Sequence, residues 1–246
     1  MTSAERPPRR PIRALVTDVD GTLTDKDRRL NLGAVQLVQQ LDLSGIPVVL
    51  ATGNVLPVAL ALHRFLGLRG PIVAENGGVL YRHENGRDLV EHLADRRVAL
   101  AAYRTLVRAG VPVRRLFTDR WRESEVALDE SVPASKVRSI LRGRPVLVES
   151  TGFAMHLMER GAGKLPALRR ALKPLGLTPG DCLAIGDGDN DVRVLRASAW
   201  AASFPSASPR ARRAADYVTQ AEYGDGFVEA VIHAGVVPSV HSGDER

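Results

Sequence analysis

The chain has 246 residues, 44% of them hydrophobic and 25% charged, a balance that fits one large domain or a core with an insertion and excludes a largely disordered protein. No apolar run approaches the roughly 18–20 residues that cross a bilayer, so no membrane association is expected. The single cysteine, Cys182, excludes a disulfide scaffold and any multi-cysteine zinc site, and the formal charge of +6 raises the question of an anionic partner.

Residues 1–11, rich in Pro and Arg, read as a flexible basic tail. No apolar h-region follows Met1, so a secretory leader is not expected and a reducing cytoplasm is the expected location. The segment IRALVTDVDGTL is an apolar run ending in polar residues, the mark of a buried strand passing into a loop. LGAVQLVQQLDLSG then places Val35, Leu37, Val38 and Leu41 near helical spacing, with Gly45 as a stop. IPVVLATGN reads as a second buried strand, VLPVALALHRFLG as a second helix, and PIVAENGGVLY as a third strand running into a Gly-Gly turn. From residue 82 the character changes to a polar helix over 95–109, strand candidates VPVRRLF, SEVALD and PVLVES, and a helix VPASKVRSIL. The alternation resumes with a helix over 164–175, the strand DCLAIGDGD, the helix DVRVLRAS, the strand AWAAS, the helix SPRARRAA, the strand DYVT and a last helix, GDGFVEAVIHAG. Strand–helix alternation of this kind predicts an α/β fold, a doubly wound, parallel, Rossmann-like sheet built from residues 12–81 and 155–246. Residues 82–154 are expected to form a smaller α+β cap.

In open α/β sheets, ligands bind beyond the carboxyl ends of the strands. There this sequence collects Asp18, Asp20 and Gly21, then Thr52, Gly53 and Asn54, and late in the chain Asp187, Asp189 and Asp191. Carboxylates brought to about 4 Å repel by roughly 1–4 kcal/mol per pair, and a divalent cation turns that cost into binding. Hard oxygen donors without His or Cys favour Mg²⁺, which leaves positions for water and a substrate phosphate. Phosphoryl chemistry follows, with Asp18 as nucleophile and Asp20 as general acid and then base. Thr52 and Lys164 would hold phosphoryl oxygens, and Gly21 and Gly53 admit close backbone approach. The chain has four lysines against thirty arginines, so Lys164 stands out.

The residues DVDGTLT at 18–24, the Thr52-Gly53-Asn54 turn, Lys164 and GDGDND at 186–191 resemble, in order and spacing, the haloacid dehalogenase superfamily of phosphatases. ENGG at 75–78 and an insertion of about seventy residues between the second and third motifs resemble the subgroup with an α/β cap there, and within it the archaeal-type phosphoglycolate phosphatases. The resemblance implies hydrolysis of 2-phosphoglycolate to glycolate and phosphate through an aspartyl phosphate. It further implies Asp18, Asp20 (through its carbonyl), Asp187 and Asp191 as Mg²⁺ ligands, and Thr52, Gly53 and Lys164 as the phosphate-binding residues. Two positions depart from the pattern: Val192 stands where many relatives have Met, and Leu165 follows Lys164 in place of the common Gly. Sugar-phosphate phosphatases (acting on sucrose phosphate or mannosyl-phosphoglycerate) and phosphomutases are the alternative activities, the acceptor being water or an alcohol.

Other features weigh less. Asp189 reads as a solvated loop residue, and an EF-hand counted from Asp187 fails because Val192 and Ser198 stand at its sixth and twelfth positions. Cys182 reads as core. His156 is a candidate for substrate contact, and Arg114, Arg115, Arg120 and Arg122 could meet a substrate carboxylate. Nucleic-acid binding is the remote alternative. The excess charge divides into +3 on residues 1–13, −1 on 14–81, +4 on 82–150 and zero on 151–246, and no aromatic cluster accompanies it. The expected partner is therefore a small phosphorylated substrate and not a nucleic acid, with a homodimer possible in principle.

Overall fold

In the computed structural model, residues 11–151 and 153–236 are described; the basic tail read at 1–11 lies, save for its last residue, outside them. The first strand, β1 (Ala14–Thr17), is wholly buried and sits at the centre of an eight-stranded sheet. It is followed by α1 (Leu32–Leu43), which Asn31 opens by accepting a hydrogen bond from the Ala34 N–H. Ala34, Val38 and Leu41, at helical spacing, turn one face of α1 into the core.

Next come β2 (Val48–Ala51), α2 (Leu56–Phe65) and β3 (Ile72–Ala74). A hairpin of β4 (Val79–Glu84) and β5 (Arg87–His92) continues the sheet beyond β3 in antiparallel sense. Asn85 and Gly86 both have left-handed backbone (φ 51° and 73°), the conformation that a two-residue hairpin turn demands. The later part supplies α5 (Lys164–Leu172), β9 (Cys182–Ile185), α6 (Val192–Ala197), β10 (Trp200–Ser203), α7 (Pro209–Ala214), β11 (Tyr217–Val218) and α8 (Tyr223–His233).

The sheet order is β11-β10-β9-β1-β2-β3-β4-β5, parallel from β11 to β3. Its strands read as continuous apolar runs because helices cover both faces. Leu15, fully buried in β1, stabilises by about 1.5–3 kcal/mol over an exposed leucine. The doubly wound α/β core expected from the alternation is the fold found.

A second hydrophobic cluster belongs to a smaller unit. It contains α3 (Arg96–Arg108), which Asp95 caps, with β6 (Val126–Leu128), α4 (Ala134–Ile140), β7 (Val146–Ser150) and β8 (Met155–Glu159). Its strands form an antiparallel sheet of order β6-β8-β7. Sheet membership sets the borders differently from the 82 and 154 read from composition, because β5 belongs to the large sheet and β8 to the small one. The strand expected over VPVRRLF is also absent. Val111 and Val113 are buried there, but only one isolated bridge, Arg115 to Leu128, joins the segment to β6. Arg114 and Arg115 instead pair with Asp129 and Asp119.

Candidate active site

Asp18 follows β1 directly, and the neighbouring strands β2 and β9 deliver the Thr52 turn and the 186–191 loop beside it. The three carboxylates Asp18, Asp187 and Asp191 each offer an oxygen within 4.8 Å of the others. Lys164, the first residue of α5, reaches between them. Its Nζ donates to Asp18 Oδ2 at 2.9 Å and to Asp191 Oδ1 at 2.7 Å.

This lysine is only 2% exposed, so its charge depends on the pair of carboxylates. Burial alone would favour the neutral amine, but Asp18 and Asp191 outweigh it and raise Lys164 above the ordinary lysine range. The acids carry the opposite strain. Burial, with the charges of Asp191 and Asp187, raises Asp18 well above the usual carboxylate range despite Lys164. Burial and Asp191 push Asp187 up to about 7. One ammonium does not neutralise three carboxylates. A compact, oxygen-only donor set with excess negative charge fits a hard divalent cation.

Local packing explains how the groups come so close. Gly21 has left-handed backbone (φ 75°), and a Cβ on it would stand 2.5 Å from Asp187 Oδ2, so only glycine lets the first loop lie against the last. Thr22 Oγ1 donates to Asp187 Oδ1 at 3.4 Å. Asp191 is fixed by accepting from the Gly188 N–H at 3.0 Å. Asp189, read as a solvated loop residue, instead opens a 3-10 turn and accepts from Ser208 and Arg210.

The turn after β2 carries Thr52, Gly53 and Asn54. Thr52 is fully buried, and its hydroxyl accepts from the Asn54 N–H at 3.0 Å. Gly53 and Asn54 are the residues of this turn that line the cavity, and Asn54 Nδ2 donates to Asp20 Oδ2. Lys164 and Asp191 likewise stand behind the cavity wall, which Asp18, Asp20 and Asp187 form with Asn190. The cavity measures about 120 Å³ and lies between the two units, Thr118, Arg122 and His156 closing it from the smaller one.

Glu75-Asn76-Gly77-Gly78 form the turn after β3, and each residue makes a distinct contact there. Glu75 is fully buried. It accepts from the Glu123 and Ser124 N–H groups at 3.0 and 2.9 Å and from the Ser124 hydroxyl at 2.7 Å. Burial raises its pKa in spite of these donors. Asn76 accepts from Asn190 Nδ2 at 2.9 Å and donates to Glu125 Oε2 at 3.2 Å. A Cβ on Gly77 (φ 97°) would stand 2.2 Å from the Gly163 carbonyl, so the turn packs on the start of α5 and thereby sets Lys164. Gly78 leaves room for Ser124. The signal available in the sequence was the Gly pair beside two polar residues after an apolar strand.

Residues 15–121 and 133–231 match the family described as haloacid dehalogenase-like hydrolase. A phosphoglycolate phosphatase of Methanothermobacter thermautotrophicus is 42% identical over 220 residues, 89% of this chain and 97% of that protein. One from Archaeoglobus fulgidus is 33% identical, covering 92% of this chain and 98% of its own. Among solved structures, that of Thermoplasma acidophilum 0175 superposes with a TM-score of 0.82 at 28% identity, covering 93% of this chain and all of that one. A sugar phosphatase of subclass IIB shares the fold at a TM-score of 0.74 and 18% identity. The chain belongs to the haloacid dehalogenase-like hydrolase family.

Proposed function

We propose that this chain is a Mg²⁺-dependent phosphomonoesterase that hydrolyses 2-phosphoglycolate to glycolate and phosphate. The observation that carries the reading is the meeting of Asp18, Asp187, Asp191 and Lys164 at one end of a cavity of about 120 Å³. The name shared by relatives at 33–42% identity supports the same substrate.

Asp18, Asp187 and Asp191 would hold Mg²⁺ with the main-chain carbonyl of Asp20, and the cation would neutralise phosphoryl oxygens and keep Asp18 ionised. The Asp18 carboxylate then attacks phosphorus as the ester bond to the glycolate oxygen breaks. Asp20, oriented by Asn54, gives its proton to that leaving oxygen. Asp20 next takes a proton from water, whose oxygen attacks phosphorus and breaks the bond to Asp18, releasing phosphate. Lys164 compensates the charge of Asp18 and Asp191 throughout, and the Thr52 hydroxyl and the Gly53 N–H donate to the phosphoryl oxygens. We further propose that the smaller unit, between β5 and α5, is the cap over this crevice.

A phosphate-release screen over 2-phosphoglycolate, hexose phosphates and nucleotides, with Mg²⁺ and with EDTA, tests the reading. Turnover of 2-phosphoglycolate at least tenfold above the others, abolished by EDTA, is expected; a preference for sugar phosphates or nucleotides would refute the substrate.

A further inference from the structure

Four arginines of the smaller unit could meet a substrate carboxylate, and the structure separates them. Arg114 is exposed and donates to Asp129 at 3.0 Å. Arg115 pairs with Asp119, and Arg120 lies in solvent over the Phe117 ring, 4.4 Å from its centroid. Arg122 alone of the four is buried, 6% exposed, and it lines the cavity that holds Asp18 and Asp20.

The side-chain hydrogen bonds of Arg122 all leave from one nitrogen. Nη1 donates to the Gly53 carbonyl at 3.0 Å and to Glu125 Oε1. Nε is buried without a partner, and Nη2 makes no hydrogen bond among the described residues. Nε and Nη2 form one edge of the guanidinium fork, the edge that takes a carboxylate through two parallel bonds. A strut between Gly53 and Glu125 needs only Nη1, and leaving a buried cationic donor unmet is costly. Glu125 does not compete for that edge, since it is held in addition by His156 Nδ1 at 2.9 Å and by Asn76. Through Gly53 the arginine is tied to the turn that also carries Asn54, the partner of Asp20.

We infer that the Nε–Nη2 edge of Arg122 receives the carboxylate of the substrate and so selects phosphorylated short acids over neutral phosphomonoesters. The inference deepens the phosphatase reading and rests on it. Glu125 is a positioning residue, since it holds Arg122 and is itself held by His156 and Asn76.

Steady-state kinetics on 2-phosphoglycolate and on ethyl phosphate, which lacks the carboxylate, provide the test. In Arg122→Gln and Arg122→Lys, kcat/KM for 2-phosphoglycolate should fall about 10–100-fold further than kcat/KM for ethyl phosphate, the loss of charge-assisted bonds. Arg114→Ala should leave both substrates unchanged. Equal losses on the two substrates, or none on either, would overturn the inference and leave the phosphatase reading standing. A wild-type protein inactive on both with Mg²⁺ would overturn the phosphatase reading, and this inference with it. Should Arg122→Gln not fold, Arg122→Lys, which keeps a cation beside Glu125, yields the same ratio.

Discussion

Lys164 shows how much a single residue position can carry. It closes the gap between Asp18 and Asp191 from the first turn of α5, with no solvent to replace it. Lys164→Met should therefore lower kcat/KM by at least about 100-fold, the scale on which fixed electrostatic groups act, and steady-state assay decides it. Asp18, Asp187 and Asp191 could be picked from the sequence because strand-end acids in a parallel sheet converge by topology alone. Thr52 was legible as a position, while the hydrogen bond its hydroxyl accepts from the Asn54 N–H was not. Arg122 could not be told from its three neighbours, because burial of one arginine among four is decided by tertiary packing.

At the scale of elements, the site is a set of loops pressed together at glycines. Gly21→Ala puts a methyl 2.5 Å from Asp187 Oδ2 in a backbone region that alanine resists. We expect weaker Mg²⁺ binding and a loss of activity of tenfold or more, read by titrating activity against Mg²⁺. The turn after β3 couples the two units through Glu75. Glu75→Gln replaces one acceptor oxygen by an NH2 group beside the Glu123 N–H and should cost about 1–3 kcal/mol in urea unfolding. The β4–β5 hairpin had a sequence signal, Asn85-Gly86 between alternating residues, yet the charged composition of β5 made it read as part of the insertion. That composition reflects an edge strand open to solvent on its outer side. The strand expected over 111–117 failed for a related reason: its two buried valines satisfy the apolar pattern without a ladder beside β6.

For the whole molecule, the alternation of strands and helices made the large sheet and its order of layers legible, while the borders of the smaller unit were not, because a hairpin and a returning strand cross them. Among the described residues no helix is long and apolar enough to cross a membrane. The pattern of charge has a thermodynamic consequence. Burial and mutual repulsion raise Asp18, and Asp187 to about 7, above their unfolded value of 3.8. A raised carboxylate favours the folded state when protonated, so this contribution is full below about pH 4 and is lost as pH rises through about 7. Mg²⁺ should therefore raise the melting temperature more at pH 8 than at pH 5.5, with protons released on binding. Equal stabilisation at both pH values would place the cation elsewhere.

The proposed mechanism requires Asp18 to carry the phosphoryl group. Rapid-quench labelling of the Asp20→Asn variant with phosphate-labelled 4-nitrophenyl phosphate and Mg²⁺ tests it, because this leaving group needs no proton from residue 20 while attack by water does, so the intermediate should accumulate. Label approaching one equivalent on the peptide that contains Asp18, and none in Asp18→Asn, is the expected result. Turnover that survives in Asp18→Asn, with no label on the protein at any time, would contradict it.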